Sequence, residues 1–253
     1  MSLAAAHPFQ HSCSGDAAAF GSLSEVVDRI EDFLRQTLPA ILGKLSGWTK
    51  GKRRNEKIMA ADLSKELNFA ATDEVFYFHP EDPENESATR TLDYGTYPTA
   101  HLKVQGWTPD AKERLYAMEA KRLPTHSTPM EALDREREYV VGDYEARLSP
   151  DKNLKGGMER FKEGVHGEGL DRVGMVAFVQ REDHQHWHAK VNEWVEELVQ
   201  NPIPRHQAKW EEQDKLILCP APGLGVTEFT STHVRSNGTP IELRHFWLEL
   251  PKT

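Results

Sequence analysis

Cysteine is nearly missing from this chain of 253 residues. Cys13 and Cys219 are too few and too far apart to build a disulfide framework or a cysteine metal site. Long apolar runs are missing too: none approaches the roughly 20 residues that a bilayer-spanning helix needs. The first 14 residues lack the basic flank and apolar stretch of a secretory signal, so a reducing, cytoplasmic setting is expected, away from any membrane. Positive charge is in short supply. Lys and Arg total 31 against 40 Asp and Glu, a net charge of −9, which argues against holding nucleic acid by bulk charge. A carboxylate-rich metal site would itself add negative charge, and three local basic stretches remain: Lys50 to Arg54, Lys112 to Arg122 and Lys152 to Lys162.

What is present suits a core domain with a helical extension. Hydrophobic residues make up 38% of the chain, enough for a real core. Residues 1–21 are small and polar and read as a flexible arm. From Ser22 the apolar positions Val26, Ile30, Phe33, Leu34, Leu38, Ile41, Leu42 and Leu45 recur at helical spacing, with Ser22 or Ser24 as the N-cap. Pro39 is expected to kink or split that helix. Residues 22–52 therefore read as a helical extension, with 22–46 a candidate interface. A basic loop (Gly47 to Asn55) leads into a second helix, Asn55 to Asn68, with Ile58, Leu63 and Leu67 expected on its buried side.

Strand-like segments follow. Glu74 to Phe78, Arg90 to Tyr97 and Arg114 to Leu123 alternate or are β-rich, and the charged stretch Pro80 to Ser87 reads as a turn. A helix is expected around Glu131 to Val141, and a short helical piece follows Gly156-Gly157. Val173 to Val179 is the most apolar run and reads as a fully buried central strand. Residues 184–200 place Trp187, Val191, Trp194, Val195 and Leu198 on one helical face, as core packing. Val226 to Val234 and Ile241 to Leu250, joined through Asn237-Gly238, read as a C-terminal β hairpin. The expected fold class is α/β: a mixed β-sheet flanked by helices.

Asp93 and the triplet Glu119-Ala120-Lys121 carry the chemistry. Alternation along a strand puts Glu119 and Lys121 on one face, and Asp93 reaches the same spot if its strand is the neighbour. Two carboxylates converging on one point repel unless a cation sits between them, and a hard divalent ion such as Mg2+ is the usual solution. Such an ion polarises a phosphoryl oxygen and lowers the pKa of bound water, while a lysine orients or deprotonates that water.

This ordered D…ExK set resembles the PD-(D/E)XK nuclease superfamily, the fold of restriction endonucleases. No proline precedes Asp93, so only the second half of the name's motif is matched. The core order of helix, three strands, helix and strand covers about residues 53–200, within an expected nuclease domain at 53–253. The resemblance implies a metal-dependent DNA endonuclease, with catalytic Asp93, Glu119 and Lys121. It implies Mg2+, or Mn2+ as a substitute, held by Asp93, Glu119, the Ala120 carbonyl and Glu56 on the upstream helix. DNA contacts are expected from Lys52, Arg53, Arg54, Arg160 and Lys162. A homodimer, since cutting two strands needs two centres, and a role in prokaryotic antiviral defence with a partner protein follow by analogy. A non-catalytic or partner-activated assembly subunit, and a nuclease of RNA or single strands, are the alternatives.

Plainer readings stand beside these. Glu119 and Lys121 could be an exposed pair on an edge strand, and Asp93 a strand-end turn former before Gly95. Glu56 suits a helix N-terminus through the dipole alone. His184 and His188 share a helical face at zinc-binding spacing, yet no third ligand stands out, so a surface helix start is expected there. His166 is a further candidate for contacting phosphate.

Overall fold

The computed structural model describes residues 18–44, 55–83, 91–110, 112–124, 137–142, 156–204, 206–220 and 225–251. The arm to residue 17, the basic loop with Lys52, Arg53 and Arg54, and most of the expected 131–141 helix lie outside them. Its described part, 137–142, is turn and coil rather than helix.

Strand β1 (Ala19–Phe20) pairs in parallel with β4 (Lys103–Val104), so the arm's last residues are tied down rather than loose. Helix α1 runs over Leu23–Lys44. Ser22 accepts the Glu25 amide at 3.3 Å, satisfying one of the helix's orphan donors, while the Glu25 carboxylate reaches back to Gly21 N at 2.7 Å and ties the preceding chain to the first turn. The helix continues through Pro39 unsplit. Its apolar face, expected as a possible interface, is consumed internally: Val26, Ile30, Leu34, Leu38 and Ile41 lie in one core cluster with Phe76, Tyr116 and Phe246. The buried Glu31 on this helix contacts Arg172 and Arg244 at 3.4 Å, locking α1 to the sheet.

Helix α2 (Glu56–Ala70) starts at an Asn55 cap and buries Met59, Ala60, Leu63, Ser64 and Leu67. Ile58, expected inside, is 54% exposed, because the buried stripe is shifted one residue round the helix.

One seven-stranded mixed sheet carries the rest, in the order β2-β3-β5-β6-β9-β8-β7. Strands β2 (Phe76–Pro83), β3 (Thr91–Pro98) and β5 (Tyr116–Leu123) form an antiparallel meander. Strand β6 (Arg172–Val179) lies parallel between β5 and β9 (Pro240–Glu249), and from Val173 onward all its residues are buried, as its composition predicts. Strand β8 (Val226–Val234) runs antiparallel to β9, and the two-residue β7 (Ile217–Leu218) closes that edge. The hairpin turn contains Asn237 and Gly238, with Gly238 at φ +85° where a side chain would be strained.

Strand β2 corrects the sequence reading, for it extends through Pro80 and Pro83, where a turn is expected. Proline removes a ladder donor, but β2 is an edge strand and tolerates the loss. The edge is also covered: the Asn68 carboxamide donates to Phe78 O at 2.7 Å and accepts Phe78 N at 2.9 Å, as a neighbouring strand would.

A second core cluster occupies the sheet's other face. It holds Met175, Ala177, Trp247 and Tyr139 with Trp187, Val191, Trp194 and Leu198 of helix α4 (His184–Gln200). The short helix α3 (Gly157–Lys162) joins β5 to β6 on that side. Carbonyls of Glu138, Tyr139 and Val140 accept the amides of Gly157, Met158 and Glu159 and so cap it. Among the described residues no helix is long and apolar enough to cross a membrane.

Candidate active site

Ladder pairing between β3 and β5 runs from Thr96↔Tyr116 to Tyr94↔Met118 and stops one residue short of Asp93 and Glu119. At Asp93 the ladder gives way to a side chain. Its Oδ2 accepts the Ala120 amide at 2.7 Å, a donor that the neighbouring strand would otherwise satisfy. Leu92 packs in one core cluster and Tyr94 in the other, although regular alternation would put both on one face. The strand therefore rolls over at Asp93. Across β2 the opposing residue is Glu81, at φ +48°, a left-handed backbone unusual for a residue with a side chain. Distortion is concentrated where the carboxylate is presented.

Glu119 and Lys121 do share a face and are buried, 1% and 5% exposed, which excludes the reading of a solvated edge pair. Lys121 Nζ donates to Glu119 Oε1 at 2.7 Å, to Ala120 O at 3.0 Å and to Glu56 Oε1 at 3.4 Å. The other Glu56 oxygen accepts Arg122 N at 3.0 Å. The first residue of α2 is thus fixed against β5, and Tyr94 OH, donating to Ala60 O at 2.9 Å, holds the helix in place. Arg160 Nη1 reaches Glu119 Oε1 at 2.5 Å. His166 Nδ1 lies 3.5 Å from Glu119 Oε2, at the outer edge of hydrogen-bond range.

The charges follow from these contacts. Burial alone would raise the Glu119 pKa, but Lys121, His166 and Arg160 together hold its carboxyl below the usual carboxylate range. Burial would lower Lys121, yet the carboxylates of Glu119, Glu56 and Asp93 outweigh it and raise the ammonium above the ordinary lysine value. A lysine held charged cannot take a proton from water, so of the two roles expected for Lys121 the arrangement supports orientation and charge stabilisation. Asp93 is pushed up to about 7, by burial and then by the charge of Glu119, against the pull of Lys121 and the Ala120 amide.

Asp93 also lines an open cleft of about 330 Å³ with Lys57, Ala60, Ala61, Pro80 and Glu81. Two donors suit a hard cation in kind. The Glu119 Oε2 atom is buried with no hydrogen-bond partner, and the Asp93 carboxylate opens toward the cleft with only Oδ2 engaged. The wider ligand set expected from sequence is not ready-made: among the described residues no group of three or more His, Cys, Asp or Glu is arranged to hold a metal. Glu56 faces Lys121 and the Arg122 amide, and the Ala120 carbonyl faces Lys121. One or two carboxylates, with water and substrate phosphate, are a usual protein share of a Mg2+ shell.

The chain matches no protein-family model, no curated protein and no solved structure. Its chemistry has to be read from its own geometry.

Lys162 is a correction. Its side chain is buried, with Nζ on Asp214 at 2.9 Å and over the Trp210 ring at 5.4 Å, so it cannot present a charge to a phosphate backbone. Asp214 starts a buried chain: His233 Nδ1 at 2.6 Å, then His233 Nε2 to Ser231 Oγ at 2.7 Å, Ser231 to His245 Nε2 at 2.8 Å, and His245 Nδ1 to Tyr139 OH at 2.8 Å. A proton on His233 Nδ1 leaves Nε2 to accept from Ser231, which then accepts from His245 Nε2, which leaves its Nδ1 to accept from Tyr139. The links from His233 Nε2 through Ser231 and His245 to Tyr139 are satisfied with both histidines neutral, and burial lowers the pKa of both. Each member is at most 1% exposed, so the array is structural.

His184 and His188 form no zinc pair. His184 meets Glu249 at 3.1 Å and His188 donates to Leu216 O at 2.9 Å, anchoring α4. Lys57 in the cleft was not singled out by sequence; its place beside Glu56 on the first turn of α2 was the available signal.

Proposed function

We propose that the chain is a metal-dependent DNA endonuclease whose helix α2, strands β2, β3, β5 and β6 and helix α3 form a restriction-endonuclease-type core. The observation that carries this reading is the fork between β3 and β5. There Asp93 accepts the amide of Ala120, the residue between Glu119 and Lys121, and Lys121 donates to Glu119. Asp93 and Glu119 would hold Mg2+, or Mn2+ in its place. A divalent cation so bound supplies polarisation of a phosphoryl oxygen and a more acidic water. Lys121, whose ammonium form its carboxylate neighbours favour, positions the nucleophile and offsets charge developing on phosphate. Glu56, itself held by the Arg122 amide, accepts from the ammonium, and Asp93, held by the Ala120 amide, lines the cleft through which a substrate would enter.

The test is conversion of supercoiled plasmid by the purified chain with Mg2+ and with chelator, beside Asp93→Asn and Lys121→Ala. Cleavage is expected only with the metal, and a drop of about 100-fold or more is expected in each variant. Cleavage that persists in chelator or in both variants contradicts the proposal. Competition by RNA and single-stranded DNA identifies the preferred substrate. A defence-system partner is proposed by analogy, dimerisation because two strands need two centres, and a cytoplasmic setting from the scarcity of cysteine.

A further inference from the structure

We infer that Arg160 is the resting counter-ion of Glu119 and competes with the divalent cation for that carboxylate, an inference that rests on the metal-dependent reading above. Glu119 Oε1 receives two cationic donors at once, Lys121 Nζ at 2.7 Å and Arg160 Nη1 at 2.5 Å. A carboxylate 1% exposed cannot stay charged uncompensated, and this pair compensates it. A divalent ion arriving on the same carboxylate would face both positive groups at close range, and like charges in a buried site repel strongly.

That repulsion falls on whichever of the two can move away more readily. The Lys121 side chain is 6% exposed. The Arg160 side chain is 21% exposed and belongs to α3, a helix of six residues that connects β5 to β6. Arg160 therefore has the shorter route outward. A guanidinium displaced there presents a planar fork of N–H donors suited to a phosphate. Cation binding thereby frees Arg160 for the substrate, and DNA that engages Arg160 favours the cation, the same coupling read in both directions. Glu119 Oε2, buried and without a hydrogen-bond partner, is the oxygen left facing no strong donor.

The experiment is Mn2+ titration of the full chain, without DNA, followed by the paramagnetic resonance of free Mn2+. Arg160→Gln is expected to bind Mn2+ roughly tenfold tighter than the wild type, the scale of one lost charge-assisted contact. Arg160→Lys, which keeps the charge, should bind close to the wild-type value. Equal or weaker binding by Arg160→Gln, with binding still abolished in Glu119→Gln, overturns the role given to Arg160 and leaves the metal site standing. No Mn2+ binding by either the wild type or Arg160→Gln overturns both. If Arg160→Gln does not fold, the nitrogen-15 resonance of Arg160 Nε in the wild-type chain serves instead. A shift on saturation with Mg2+ supports the exchange, and an unmoved resonance overturns it.

Discussion

At Asp93 stability and chemistry pull in opposite directions. Burial and the neighbouring Glu119 charge push its pKa up to about 7, far above an unfolded aspartate near 4. Between those values the folded chain holds a proton that the unfolded chain has released, so this group's contribution to stability declines as pH rises through the window and is lost above about 7. Asp93→Asn removes the charge and can keep an oxygen for the Ala120 amide. The variant is expected to gain little over the wild type near pH 4 and progressively more up to about pH 8 without divalent ions, as read by denaturant unfolding. A constant difference across that range would mean that Asp93 does not carry the strain described. Alternation along β5 makes the shared face of Glu119 and Lys121 legible, whereas the roll-over that presents Asp93 has no local signature. The Arg160 contact with Glu119 was not legible, since 41 residues and a crossover separate the two and no local period links them.

Among the elements, the strands read most clearly from sequence. Val226–Val234 follows its β-rich run to the residue, and Arg172–Val179 begins one residue early. Strand β2 was cut short because Pro80 and Pro83 signal a turn locally, and only the sheet order reveals an edge that accepts them. The Asn68 carboxamide, which completes that edge at Phe78, is likewise invisible without the packing of α2 on β2. Replacing Asn68 with Ala strands both Phe78 backbone groups and is expected to cost about 1–2 kcal/mol. Hydrogen exchange should speed up at the Phe78 amide first; protection unchanged there would show that the edge is held by other means.

On the scale of the whole molecule, α1 was legible as a helix but not in its role. Its apolar stripe looks the same whether it faces a second chain or its own sheet, and the structure places it in the core shared with α2 and β2. Removing residues 1–44 should therefore unfold the chain, seen as loss of near-ultraviolet dichroism and of cooperative melting; a folded monomer would contradict that packing. The central claim is that Asp93 and Glu119 form one cation site. Anomalous diffraction from crystals soaked in Mn2+ tests it most directly. A single peak about 2.1 Å from both an Asp93 oxygen and a Glu119 oxygen is expected. A peak ligated elsewhere, or none between these two carboxylates at saturating Mn2+, would contradict it.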